Sequence, residues 1–452
     1  MPSTSNPTIS QLAARLSNGQ TTSRELVEAC LQQIQDPAGE GARAFIAVDA
    51  AAARQAADAT DTLRKAGYAP SKFAGIPIAI KDLANIRGQT TAAGSRALAD
   101  SAPATEDAPV VARLRRAGFI LVGRTNMTEF AYSGLGINPH YGTPLSPWDR
   151  PSQRVPGGSS SGSAVAVADG MAFGALGTDT GGSCRIPAAF NGIVGYKPTA
   201  RRVPTEGVVP LSTSLDSIGP IASTVDCCQI MDAAMSGEEI RAAADFGLDG
   251  ARLLVPETIV LDELDSHVAR DFESALSRLA KAGARITRAK FAPFDAIAEV
   301  NRHGGLSGAE SWHWHRALIE SRRADYDPRV LSRILRGSEQ TASDYIELLA
   351  ARRRAIVAFE ASMQGFDAIL SPTVPVVAPR IAECQKDADY NRINMLVLRN
   401  TMMLNVLDGC SIAIPMHQPA GAPTSLMVSV PAMADANIFR LAGSIEARLA
   451  SV

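Results

Sequence analysis

Gly157-Gly-Ser-Ser-Ser-Gly-Ser-Ala164, an Ala/Val-rich stretch, and then Gly177-Thr-Asp-Thr-Gly-Gly-Ser-Cys-Arg185 decide how this chain is read. Two glycine-flanked serines, Ser159 and Ser183, stand 24 positions apart. Glycine places no side chain over its own N–H, so Gly181-Gly182-Ser183 is able to aim several amides at one point. An oxyanion formed in acyl transfer needs such donors, and a serine at the end of the run is placed to be the nucleophile. One such stretch alone reads as a flexible Gly/Ser loop. Two of them, joined by an apolar segment and preceded by a suitably placed lysine, read as a site.

The lysine is Lys81, in Gly75-Ile-Pro-Ile-Ala-Ile-Lys-Asp-Leu83. Ile76, Ile78 and Ile80 alternate as in a buried strand, and the run ends in a charge. Two fates fit that position. The side chain reaches water or pairs with an acid, for which Asp82 is at hand, or burial lowers its pKa until the neutral amine acts as a base.

These segments resemble the amidase signature family. The likeness also runs through Gly123-Arg-Thr-Asn-Met-Thr-Glu-Phe130, Asn191-Gly-Ile-Val-Gly-Tyr-Lys-Pro198 and Ser214-Leu-Asp-Ser-Ile-Gly-Pro220. It keeps one order from about residue 9 to the C-terminus and is strongest over 73–222. The resemblance implies a single α/β/α domain over residues 1–452, with a central mixed, twisted sheet covered by helices on both faces. Length alone suggests two or three domains, and the resemblance overrides that count. It implies Ser183 as nucleophile, Ser159 as bridging serine after a cis Gly158–Ser159 bond, and Lys81 as base. In that scheme neutral Lys81 takes a proton from Ser159, and Ser159 takes one from Ser183. The amides of Thr180, Gly181, Gly182 and Ser183 receive the oxyanion, and water later cleaves the acyl-enzyme. Asp179 and Arg185 hold the loop through an ion pair; binding of a substrate carboxylate by Arg185 is the alternative.

Gly158-Ser-Ser-Ser-Gly162 also matches the Gly-x-Ser-x-Gly elbow of α/β-hydrolases. That elbow follows a buried strand, whereas Pro147–Pro156 carries three prolines and reads as a loop. Ser163–Ala168 suits a helix packed closely on a sheet. Elsewhere, Thr22-Ser-Arg-Glu25 is a capping box before a helix. Strands are expected at 44–48, 76–80, 119–123, 171–176, 193–196, 252–255 and 368–371. Helices are expected at 107–117, 225–235 and 263–282, with a surface connection over 236–249. This alternation points to a layered α/β sheet.

The composition, 46% hydrophobic with a net charge of −2 and pI near 6.3, gives no electrostatic reason to expect nucleic acid or an anionic membrane. Ala351-Arg-Arg-Arg354 reads as a solvated helix face. No apolar run reaches the length of a transmembrane helix, and Met1–Asn6 has neither the basic nor the apolar part of a signal peptide. Six cysteines without a framework, two of them adjacent (Cys227-Cys228), suggest a reducing, cytoplasmic setting. His313 and His315 have a spacing that suits two ligands only on a strand, and no zinc motif occurs. No metal and no cofactor are expected. The expected partner is a small amide substrate, with the protein a monomer or homodimer.

Asn126, Met127, Phe130, Tyr132 and Ile137 are candidates for an acyl pocket, though core packing explains them as well. Trp312, Trp314 and Met395–Asn405 are expected to close its other side. A mostly apolar lining favours small aryl or alkyl amides, with carbamates and esters as further substrates. The rival is the glutaminase subunit of the tRNA-dependent amidotransferase, which must hold free glutamine. Residues 395–405 contain no acid to meet an α-ammonium, although Arg333, Arg336 and Arg399 are able to offer a carboxylate contact. An inactive binding homologue is disfavoured because Lys81, Ser159 and Ser183 are all present.

Overall fold

The alternation of Ile76, Ile78 and Ile80 sorts the side chains of a wholly buried strand, Pro77–Lys81, onto two faces. In the computed structural model, which describes residues 6–239 and 247–451, these isoleucines enter one apolar cluster and Ala79 enters the other. Successive strand side chains face opposite ways, so Lys81 shares the face of Ala79. That face carries the helix Ser161–Ala168.

The same sorting runs across an eleven-stranded mixed sheet. Its strands are β1 Phe45–Ala47, β2 Pro77–Lys81, β3 Ile120–Thr125, β4 Gly174–Asp179, β5 Val194–Lys197, β6 Ser217–Ala222, β7 Arg252–Pro256, β8 Arg285–Ala289, β9 Ala368–Pro372, β10 Cys410–Pro415 and β11 Ser425–Val430. Their order is β1-β3-β2-β4-β6-β5-β10-β11-β9-β7-β8. β2 runs parallel to β3 and β4, and β7 parallel to β8 and β9, while the centre is antiparallel. In β7, Leu253 and Val255 face one cluster and Leu254 the opposite one.

Helices Ile9–Ser17, Pro109–Arg116, Val225–Ser236, Ser266–Lys281 and Asp435–Ala450 cover the first face. Helices Ser23–Gln35, Ala50–Lys65 and Ser161–Ala168 cover the second, joined further along the sheet by Ala342–Ser362 and Asp387–Val406. The chain is thus a single α/β domain with helices on both sides of one sheet. No helix among the described residues is long and apolar enough to cross a membrane.

Each expected strand and helix has a counterpart, with shifted ends. The strand expected at 171–176 runs from Gly174 to Asp179, and the helix expected at 263–282 starts after Asp265, whose side chain caps it through His267 N–H. The capping box forms: Thr22 Oγ1 accepts Glu25 N–H and the Glu25 carboxylate accepts Thr22 N–H, both at 3.1 Å. Of the connection expected over 236–249, residues 240–246 lie outside the described residues. His313 and His315 lie on the helix Gly305–Arg322, not a strand, where side chains two apart diverge. His315 is buried against the Tyr326 hydroxyl, 2.9 Å from its Nδ1.

The helix Ser161–Ala168 is buried from Ser161 to Val167 because its side chains are small. A Cβ on Gly162 would lie 2.2 Å from the Ala44 carbonyl oxygen. Gly162→Ala is therefore expected to destabilise the fold by about 1–3 kcal/mol through overpacking. Gly443, inside the helix Asp435–Ala450, has nothing within 4 Å of its would-be Cβ. Gly443→Ala should stabilise by roughly 0.5–1 kcal/mol, since alanine loses less backbone freedom on folding. Urea unfolding of both variants should move the midpoints in opposite directions.

Candidate active site

Three segments converge at the C-terminal ends of β2 and β4 and at the start of the helix Ser161–Ala168. β2 ends in Lys81, whose Nζ lies 2.7 Å from Ser159 Oγ and 2.7 Å from Thr178 Oγ1. All of these side chains are buried, and Lys81 is wholly so. Burial brings the Lys81 pKa down to about 7, although Cys184, Asp179 and Asp216 pull it upward. Lys81 does not pair with Asp82, which accepts Arg124 Nε at 2.7 Å and Gly94 N–H at 3.0 Å.

The Gly158–Ser159 peptide is cis. Ser160 N–H donates to the Ser183 carbonyl at 3.3 Å, which ties the two serine loops side by side. No strand leads into Gly158–Gly162, so the Gly-x-Ser-x-Gly match is not an elbow.

The Gly177–Arg185 loop is organised by Asp179. Its carboxylate accepts Gly182 N–H (2.8 Å), Cys184 N–H (3.0 Å), Arg185 Nε (3.0 Å), Arg185 Nη2 (2.8 Å) and Asn405 Nδ2 (2.9 Å). Burial alone would raise its pKa, but the charge and hydrogen bonds of Arg185, with Asn405 and Lys197, outweigh burial and hold it well below the usual range. Gly182 sits at φ +138°, and a Cβ there would meet Thr401 Oγ1 at 2.2 Å, so only glycine fits.

This geometry corrects one expectation. Gly182 N–H points inward at Asp179, so it is not an oxyanion donor. The amides of Thr180, Gly181 and Ser183 have no protein acceptor among the described residues. Thr180 is fixed separately: its hydroxyl donates to Asp216 at 2.5 Å, and Asp216 also accepts Leu211 and Ser212 N–H at 3.0 Å. Burial raises Asp216 to a pKa of about 6.

Ser183, Thr180 and Gly181 form part of the wall of a cavity of about 400 Å³. Of the candidate acyl-pocket residues only Tyr132 lies on that wall. Met127 and Phe130 are buried in a separate cluster with Tyr326 and Ile334, and Ile137 packs elsewhere. Asn126 uses its amide on the Arg43 and Gly142 carbonyls, 2.8 Å each. Trp312 and Trp314 join the Phe130 cluster, whereas Met395, Leu398 and Met402 do face the cavity. The segment 300–308 completes the wall. That segment carries no motif, and the sequence pattern alone gives no role to Thr178 or Asp216.

A model of the family described as Amidase matches residues 25–439. The chain belongs to the amidase family. The 2-amino-5-chloromuconic acid deaminase of Comamonas testosteroni is 36% identical over 446 residues, covering 97% of this chain and 95% of that protein. One subunit of the glutamyl-tRNA(Gln) amidotransferase of Anaeromyxobacter sp. (strain K) is 34% identical over 464 aligned positions, covering 95% of this chain and 93% of that subunit. A crystal structure of an amidase superposes with a TM-score of 0.88 at 31% identity, covering 98% of this chain and 100% of that one. Membership brings hydrolysis of amides as the class of reaction.

Arg185 is wholly buried, and beyond Asp179 it donates to the Thr401 carbonyl at 3.0 Å, Asn405 Oδ1 at 2.6 Å and Met427 Sδ at 3.4 Å. Its guanidinium does not reach the cavity. Arg185→Met should therefore leave Asp179 as an unpaired buried charge and destabilise the fold by about 3–5 kcal/mol. Thermal unfolding checks the loss; a stable variant altered only in KM would instead mark Arg185 as a substrate ligand.

Proposed function

We propose that this protein hydrolyses small amides through an acyl-enzyme on Ser183, with Ser159 and Lys81 as a proton relay. The observation that carries the reading is the 2.7 Å contact between a wholly buried lysine and Ser159, beside the Ser183 loop. A lysine with a pKa of about 7 is a free amine in about half of the molecules at neutral pH, whereas a lysine in water is almost wholly protonated there. The neutral amine accepts the Ser159 proton while its own N–H donates to Thr178. Ser159 then accepts the proton of Ser183, and Ser183 Oγ attacks the amide carbon. The oxyanion meets the amides of Thr180, Gly181 and Ser183. The relay returns the proton to the leaving nitrogen as the C–N bond breaks, and water releases the acid from Ser183.

Likeness to a protein named as a deaminase, along 97% of the chain, supports ammonia as the departing group. Likeness to the amidotransferase chain supports a glutaminase as the second reading. Against it, the cavity wall contains no aspartate or glutamate to hold the α-ammonium of glutamine. Burying that charge unpaired costs several kcal/mol. On this reading the protein works without a partner subunit, nucleic acid or cofactor, in the cytoplasm.

Ser183→Ala should abolish turnover and acyl-adduct formation while the fold is retained. An adduct found on Ser160 by mass spectrometry would overturn the assignment. Lys81→Ala should lose activity at neutral pH. Because the active form of Lys81 is the deprotonated one, kcat/KM of the wild type should rise about tenfold per pH unit below about 7 and level off above it. A profile that falls across that range would exclude lysine as the base.

A further inference from the structure

We propose that Arg333 and Arg336 form a carboxylate subsite in the Ser183 cavity, so that the substrate is an amide bearing a second, anionic carboxylate and no ammonium beside it. This rests on the hydrolytic role of Ser183 proposed above. Both arginines lie on the cavity wall, three residues apart on one side of the helix Pro328–Arg336. Arg333 is held in place: Nη1 donates to the Tyr132 carbonyl at 2.7 Å, Nη2 donates to Asn391 Oδ1 at 3.1 Å, and the guanidinium lies 5.1 Å from the centre of the Tyr390 ring. Arg336 is exposed and makes no hydrogen bond or ion pair among the described residues, and neither Arg333 nor Arg336 pairs with a carboxylate there.

Two arginines, Arg333 half-buried and Arg336 exposed, thus line a cavity whose wall holds no acid among the described residues. Cations in the last turn of a helix do complement its dipole. That role does not require both to lie on a cavity wall without a counter-charge. The rest of the wall is largely apolar, with Leu211, Leu215, Leu306, Leu398 and Met402, so an anion entering it loses water and needs a partner. A guanidinium fork matches a carboxylate in shape and hydrogen bonding, and it stays charged at any working pH. Arg399 does not belong to the subsite, because it donates to the Asp262 carbonyl and is absent from the wall. To an ammonium the same wall gives amide and hydroxyl oxygens but no carboxylate among the described residues, and this missing counter-charge is what separates a plain dicarboxylic monoamide from glutamine.

The test compares three five-carbon amides that differ only in charge: glutaramate, its neutral diamide glutaramide, and glutamine, which is glutaramate with an α-amino group. Four- and six-carbon monoamides with their diamides extend the set. Wild-type kcat/KM is expected to be at least tenfold higher for the best monoamide than for its diamide, and at least tenfold higher for glutaramate than for glutamine. In Arg336→Gln and Arg333→Gln the monoamide-to-diamide ratio should collapse toward one, chiefly through KM, with Arg336→Lys between. Equal use of monoamide and diamide by the wild type, or a ratio untouched by both variants, would overturn the subsite. Calorimetric binding of the dicarboxylates glutarate and adipate to Ser183→Ala separates the two proposals. A Kd weakened at least tenfold by adding Arg336→Gln supports the subsite even if no amide is turned over, and an unchanged Kd overturns it. Turnover that persists in Ser183→Ala overturns the hydrolytic role alone.

Discussion

The Asp179 carboxylate sits where β4 ends and the chain turns through two glycines toward Ser183. Five donors surround it, two of them backbone N–H groups of the loop itself. A buried carboxylate with fewer partners would protonate or draw in water. Here the Arg185 guanidinium supplies the counter-charge, and Asn405 carries the contact across to the helix Asp387–Val406. One ion pair therefore sets the curvature of the Ser183 loop and also ties it to the helix of the opposite cavity wall. The position of Gly182 follows from the same constraint. Its amide, like that of Cys184, turns inward to Asp179, which removes it from the proposed oxyanion donors and leaves the amides of Thr180, Gly181 and Ser183 without a protein acceptor among the described residues.

The lysine depends on the same packing. Asp179, Asp216 and Cys184 all favour its charged form, yet burial prevails and leaves it near neutrality. The helix Ser161–Ala168 makes that burial possible, because only small side chains let it lie so close to β2 and β3. Asp216 acts on Lys81 less than Asp179 does, although burial raises its own pKa only to about 6 and leaves it mostly ionised at neutral pH. An acid placed nearer to Lys81 would hold the proton there and disable the proposed relay.

The layered fold was legible in the sequence because it depends on local pattern, and so were the runs that bring Lys81, Ser159 and the Ser183 loop together. Ile76, Ile78 and Ile80 alternate, Thr22 and Glu25 form a box, and the Gly/Ser runs mark where backbone approaches a reacting atom. β6 was hidden because Gly219 and Pro220 in Ser217–Ala222 read as turn residues, although β6 pairs with β4 along its whole length. The cavity wall was hidden for a different reason. Residues such as Leu306, Arg336 and Met402 meet only through long-range packing, and nothing in their own neighbourhoods signals it. Phe130 and Met127 erred in the opposite direction: they follow a family motif, but their side chains point into the core. Proximity in sequence to a motif is a poor guide to which face a side chain takes.

If the substrate is an anion, as proposed, its charge and the proposed lysine base act on each other. An anionic substrate entering an enclosed, mainly apolar space raises the pKa of any nearby amine. Without compensation, binding would therefore protonate Lys81 and remove the base at the moment it is needed. Two guanidinium groups paired with the substrate carboxylate cancel that field at its source. The arrangement also explains why the counter-charges are arginines. A guanidinium keeps its charge when a bound substrate desolvates it and presents a fork that matches a carboxylate, which a lysine ammonium does not. Selectivity for an acid and survival of a neutral lysine base are, on this reading, two consequences of one distribution of charge.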